Sequence, residues 1–131
     1  IKFNQETLAK NSGSILLYST IAVKQGFTNH TIVSTAKGAI EGLTLSLAAE
    51  FAPKIKVNCI APSLTDAKMT QKLISNETIK KAIENMHPLP KIGSGDDFSD
   101  IGSFLLSDKN SWITGQIFHI DGGRSSLRIK S

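Results

Sequence analysis

Two uninterrupted apolar runs, "SILLYST" at residues 14–20 and "IKVNCIA" at 55–61, bracket a long helical pattern, and that order leaves the chain few ways to fold. A strand that covers one face of a sheet alternates apolar and polar residues. A strand apolar throughout is buried on both faces, the habit of parallel sheets sandwiched between helices. Gly13 and polar residues bound the first run, and Pro62 stops the second. Between them "STAKGAIEGLTLSLAAEF" (34–51) puts Ala36, Ala39, Ile40, Leu43 and Leu47 on one stripe at spacings of three and four, which predicts a helix with one apolar face. Residues 1–10 read as the tail of a helix closed at Gly13. "NETIKKAIENM" (76–86) reads as an amphipathic helix capped by Asn76, "DDFSDIGSFLLS" (96–107) as another helix, and "GQIFHIDGG" (115–123) as a last strand closed by two glycines. Strand, helix, strand, helices, strand in that order builds a parallel sheet with right-handed crossovers. The expected fold is therefore α/β, with residues 1–131 forming a single domain.

Three strands are few for such a sheet, and the first would present a long apolar edge with nothing beside it. Its neighbour is expected outside these residues, as if the chain were half of something longer; it begins with Ile1, not Met. Composition narrows the function classes. Hydrophobic residues make up 40% and charged residues 20%, and no apolar run approaches the ~20 residues of a membrane helix, so no membrane partner is expected. Lys plus Arg number 15 against 11 acids, but the basic residues are scattered with few aromatics among them, which argues against a nucleic-acid surface. The single cysteine, Cys59, permits no internal disulfide and points to a reducing compartment, the cytoplasm. No grouping of metal-ligating residues stands out.

One residue asks for an explanation beyond folding. Lys37 falls in what reads as the first turn of the 34–51 helix, where the macrodipole disfavours a cation. Four positions earlier, on the same face, is Val33, which has no chemistry to share with it.

"GSILLYST", then "STAKGAIEGLTLSLAAEFAPKIKVNCIAPSLTD", then "WITGQIFHIDGG" resembles the C-terminal half of a short-chain dehydrogenase/reductase, from about residue 10 to the end. The resemblance implies the C-terminal part of a Rossmann-type, doubly wound parallel sheet, and a reaction moving hydride between NAD or NADP and a carbonyl or alcohol of a small-molecule substrate. The family's N-terminal half, with its Gly-rich dinucleotide fingerprint, is absent from the chain, so the chain alone is expected to be inactive. In the family a hydroxyl holds the substrate carbonyl, a tyrosine transfers the proton, and a lysine four residues on binds the nicotinamide ribose and lowers the tyrosine's pKa. Lys37 matches that lysine and Thr20, with Ser19 beside it, the hydroxyl position; Val33 stands where the tyrosine would be. His30, three residues before Val33, is the titratable side chain nearest in sequence that could act as a displaced acid. His87, in a turn before Pro88, and His119, within a strand, are weaker candidates.

"APSLTDAKM" resembles the family segment that lies along the nicotinamide. Pro62 matches, Ser63 replaces a glycine and Ala67 a threonine, and the backbone at Leu64 and Thr65 would meet the carboxamide. The closing strand and the 34–51 helix, through Gly38, Gly42, Ala48 and Ala49, imply a homo-oligomer, dimer or tetramer. Two functions remain open: an atypical, impaired oxidoreductase, or a catalytically silent subunit with a structural or cofactor-sensing role.

Overall fold

A computed structural model of the chain describes residues 1–129; the last two residues of the expected domain, 130 and 131, lie outside it. After a turn of 3-10 helix the elements run α1 (Gln5–Lys10), β1 (Ser14–Tyr18), α2 (Thr31–Phe51), β2 (Lys56–Pro62), α3 (Gln71–Ile74), α4 (Glu77–Glu84), α5 (Asp96–Leu106) and β3 (Ile117–Ile120). The three strands form one parallel sheet in the order β1-β2-β3. β2 is central, with Ser14 opposite Lys56 and Tyr18 opposite Ile60 on one side, and Cys59 opposite Ile117 and Pro62 opposite Ile120 on the other. The α/β expectation holds.

Helices cover both faces, as the apolar runs require. On one face Ala48 and Phe51 of α2 pack with Ile55 and Val57, joined by Ile15 and Leu17 of β1 and by Leu8 of α1. On the other, Phe98 and Leu105 of α5 pack on Ile60, Leu16, Phe118 and Ile120. Adjacent strand residues thus feed opposite cores, the two-residue period of a strand. Asn58 is a polar side chain inside the β2 run and is 1% exposed. Its amide donates to Ile113 O (3.0 Å) and accepts from Gln116 N (3.0 Å), so it satisfies the backbone just before β3 and fixes where that strand begins.

Several element details depart from the sequence reading. α2 starts at Thr31, so Lys37 lies in its second turn and not its first. The face turned to the sheet carries Lys37, Glu41, Thr44, Ala48 and Phe51, whereas Ala36, Ala39 and Leu43 of the expected stripe are exposed. Polar groups occupy the inward face because each finds a local partner: Thr44 donates to Ile40 O (2.8 Å) and Glu41 accepts from Ser19 (2.6 Å). Ala48 is core and Gly38 backs onto Val23, so of the four small residues expected to meet another helix only Gly42 and Ala49 are exposed. Pro62 ends β2 from within, pairing with Ile120. The left-handed residue after α1 is Ser12 (φ 49°), while Gly13 is needed because a Cβ there would come 2.7 Å from the Leu8 side chain. Asn76 caps α4 as expected, accepting from Thr78 N (3.0 Å) and Ile79 N (3.1 Å).

Candidate active site

All three strands point the same way, so their carboxyl ends gather at one edge of the sheet, where ligands of open α/β sheets bind. The pairing runs on past the strand ends. Ser19 N donates to Ile60 O (2.8 Å), Ile21 N to Pro62 O (3.0 Å) and Ser63 N to Ile120 O (3.3 Å). These bonds bring Thr20, Ser63 and Asp121 out of three distant stretches of sequence to one rim.

At the β1 side of the rim, Lys37 Nζ donates to the Tyr18 carbonyl at 3.0 Å. An ammonium has three donors, and among the described residues the other two have no partner. Thr20 Oγ1 accepts from Ala22 N (3.3 Å), which leaves its hydroxyl proton uncommitted among the described residues. Ser19 is buried, its hydroxyl spent on Glu41 (2.6 Å), with the Lys37 carbonyl at 3.4 Å. Of the two hydroxyls flagged by sequence, Thr20 is therefore the one able to meet a ligand. Beneath them burial pushes the Cys59 thiol up, with the Glu41 carboxylate adding to it against a Thr44 hydrogen bond and Lys37. Ser34 Oγ donates to Ala22 O (2.9 Å), which pins the start of α2 against the segment after Thr20.

Val33 is 46% exposed, one helical turn before Lys37 on α2. His30 is exposed at the N-cap of the same helix; its Nδ1 lies 2.8 Å from Thr28 O, which assigns the proton to Nδ1 and leaves Nε2 free to accept one. The ring packs edge-on against Phe27, centroids 5.5 Å apart.

The β2 side of the rim is the Pro62–Thr65 segment. A cavity of about 210 Å³ opens here, lined among others by Ser63, Thr65, His87, Asp121 and Gly122. Leu64 O accepts from Gly93 N (3.1 Å) and Thr65 Oγ1 donates to Ser63 O (3.1 Å), so the segment is held from both sides. Ser63, where the family resemblance expects glycine, puts its hydroxyl 2.7 Å from His87 Nε2. His87 is 3% exposed and its Nδ1 sits 2.8 Å from Ile83 O, so Nδ1 carries the proton and Nε2 accepts from Ser63. Burial works against the Asp121 carboxylate, but hydrogen bonds from Ser125 and Gly123 outweigh it and hold its pKa below the usual range.

A third group converges on the same place from the chain's C-terminal end. Arg124 lies over the Phe27 ring, its guanidinium carbon 4.8 Å from the centroid. Its nitrogens reach Ser63 Oγ (3.5 Å) and Met86 Sδ (3.5 Å). Thus Thr20 and the Pro62–Thr65 segment are joined at the rim through Ile21, Lys37 reaches the same strand end at the Tyr18 carbonyl, and Val33 and His30 lie earlier on α2 and at its N-cap. His87 and Arg124 are additional members. His87 appeared in the sequence as a turn residue and Arg124 as one scattered cation; neither has a local motif to mark it. No cluster of three His, Cys, Asp or Glu able to hold a metal occurs among the described residues.

The family model described as enoyl-(acyl carrier protein) reductase matches residues 2–125. An uncharacterised oxidoreductase of Mycobacterium tuberculosis is 36% identical over 118 residues, covering 89% of this chain and 46% of that protein. The 3-oxoacyl-(acyl-carrier-protein) reductase of Chlamydia trachomatis is 37% identical over 113 residues, covering 86% of this chain and 45% of its own. The chain thus spans less than half the length of these curated relatives. The solved structure of ElxO with NADP bound superposes with a TM-score of 0.86 at 36% identity, over 96% of this chain and 52% of that one. Strand order, rim and these likenesses agree, and the chain belongs to the short-chain dehydrogenase/reductase family.

Proposed function

We propose that the protein carrying this chain is an oxidoreductase that moves hydride between NAD or NADP and a small carbonyl or alcohol substrate. The observation that carries this reading is Lys37, anchored 3.0 Å from the Tyr18 carbonyl beside Thr20. A cation so held, with two N–H groups to spare among the described residues, fits the hydroxyl pair of a ribose. The NADP in the ElxO structure supports the same cofactor class here. When bound, the nicotinamide supplies or accepts the hydride. Lys37 binds the ribose, the backbone at Leu64 and Thr65 orients the carboxamide, Pro62 and Ser63 set the direction of that segment, and Thr20 holds the substrate oxygen.

A positioned acid contributes about 100- to 10,000-fold, and Val33 offers none. In this reading the enzyme is slow, with His30 Nε2 or water exchanging the proton. A second reading, a catalytically silent subunit with a structural or cofactor-sensing role, is favoured by the bare methyl groups of Val33 at that position. In either reading the chain is the C-terminal part of a dinucleotide-binding domain, which is supported by its covering 46% of the M. tuberculosis relative. A homo-oligomer is supported by the exposed apolar side chains of α2, Ile32 at 85% and Leu45 at 53%, and cytoplasmic residence by the unpaired thiol of Cys59.

Nicotinamide fluorescence titration of the full-length protein tests the cofactor reading. Saturable binding of NADH or NADPH is expected, weakened about tenfold or more by Lys37→Met, the loss of one charge-assisted hydrogen-bonding group. Absence of binding to the wild-type protein would contradict both readings that involve a cofactor.

A further inference from the structure

Arg124 is the cation least accounted for by the fold. It is half-buried, and burial pulls its pKa down against the opposing pull of Asp121. A desolvated guanidinium normally meets a carboxylate or phosphate, frequently two-pronged. The one ion pair among the described residues joins Lys91 and Asp97 instead. Asp121, the nearest acid by its influence, spends one oxygen on Gly123 N (2.9 Å) and the other on Ser125 N (2.9 Å). Among the described residues the acceptors Arg124 has are a hydroxyl and a thioether, both at 3.5 Å, and such long neutral contacts replace little of the lost hydration.

The guanidinium is nevertheless held in place. Phe27 supports its plane, and Gln25 Nε2 donates to the Arg124 carbonyl at 3.2 Å. Phe27 and Gln25 belong to the segment that begins at Thr20, and Ser63 to the segment read as lying along the nicotinamide. Arg124 therefore bridges the loop that follows Thr20, at Gln25 and Phe27, and the segment that would hold the cofactor, at Ser63. Stacking on an aromatic face occupies the π surface of a guanidinium and leaves its N–H edge available. A fixed, partly desolvated cation without an anionic partner among the described residues, in contact with Ser63 of the cavity lining, is a recognition element for an oxyanion.

We propose that Arg124 anchors a carboxylate of the substrate, so that the protein acts on oxo acids or the corresponding hydroxy acids in preference to neutral ketones or alcohols. The assignment of the anion to a substrate rests on the oxidoreductase reading above. The presence of the anion site does not.

The test uses the full-length protein and a series of methyl-ketone acids from 3-oxobutanoate to 6-oxoheptanoate, each beside its methyl ester. Calorimetric titration in the presence of NADP is expected to give at least one acid binding about tenfold or more tightly than its ester, the difference one charge-assisted pair confers. Raising salt should narrow that ratio. Arg124→Gln should remove the preference and Arg124→Lys retain part of it, with thermal melts verifying that each variant is folded. Should the Gln variant not fold, the wild-type acid-to-ester ratio and its salt dependence decide alone. No preference for any acid in the wild type, or a preference intact in folded Arg124→Gln, overturns the proposal. A variant that loses NADPH affinity while keeping the acid preference assigns the guanidinium to the cofactor and also overturns it. NADPH oxidation measured on the same series separates the two levels of the argument. Acid preference without turnover leaves the anion site standing and removes the oxidoreductase reading; turnover without acid preference does the reverse.

Discussion

Lys37 and Val33 lie one turn apart on α2, and the difference between them sets the expected chemistry. Restoring a phenol with Val33→Tyr is expected to raise ketone turnover by about 100-fold, the lower end of what a positioned acid contributes; unchanged turnover with cofactor binding intact would contradict the alignment of Thr20, Lys37 and the nicotinamide segment. If His30 supplies the proton in the wild type, His30→Ala removes the activity that Val33→Ala leaves. Asp97 gives a prediction about stability. Its carboxyl accepts from Lys91 Nζ first and then from Ser94 N (2.8 Å) and Ser94 Oγ (3.0 Å), and these lower its pKa to about 2, below the usual 3.8. A carboxyl depressed on folding stabilises the native state above its unfolded pKa and loses that contribution as pH falls through its folded one. Asp97→Asn should therefore lower the urea midpoint at neutral pH, and the gap from wild type should close between about pH 4 and pH 2. An unchanged gap at the acid end would show that the ionised carboxylate is not what the variant lost. Thr20, Lys37 and Ser63 are legible in sequence because each sits in a short stretch with fixed spacing. His87 and Arg124 are not, because their contacts to Ser63 bridge 24 and 61 residues and exist only once the three strand ends meet.

Among the elements, strands are more legible than helix faces. The runs at 14–20 and 55–61 announce buried parallel strands because no solvent-facing alternation interrupts them. α2 misleads because its inward face is paved with Lys37, Glu41 and Thr44, whose partners are invisible before the sheet forms, while Ala36, Ala39 and Leu43 supply an apolar stripe that the described residues do not cover. The two glycines after β3 are legible for a backbone reason: Gly122 (φ 60°) and Gly123 (φ 86°) turn the chain in a region that residues with a Cβ seldom adopt. Asn58 is where an apolar reading of β2 would go wrong. Asn58→Leu keeps the side chain's branching and heavy-atom count but leaves Gln116 N without its acceptor and takes one donor from Ile113 O, at a cost of about 1–3 kcal/mol by the usual penalty for buried unpaired groups. Equilibrium urea unfolding measures this, and a loss below about 0.5 kcal/mol would mean that the start of β3 is fixed by other contacts.

For the whole molecule, β1 is an edge strand of the described sheet, and its apolar composition is unsuited to that position. Residues beyond these 131, or another chain, are expected to cover it. The 131-residue chain prepared by itself should self-associate, and light scattering that shows a stable monomer of 14.1 kDa at high concentration would contradict both covers. The proposed activity places hydride transfer in the complete protein at this rim, with Lys37 and Thr20 at the β1 side and the Pro62–Thr65 segment at the β2 side. Mass spectrometry of the product formed from nicotinamide-deuterated NADPH or NADH and an oxo acid tests it most directly. One deuterium is expected on the new carbinol carbon, formed slowly by the wild type, faster by Val33→Tyr, and lost with Lys37→Met. Cofactor bound with no deuterium transferred by either the wild type or Val33→Tyr would contradict it and leave the silent-subunit reading in its place.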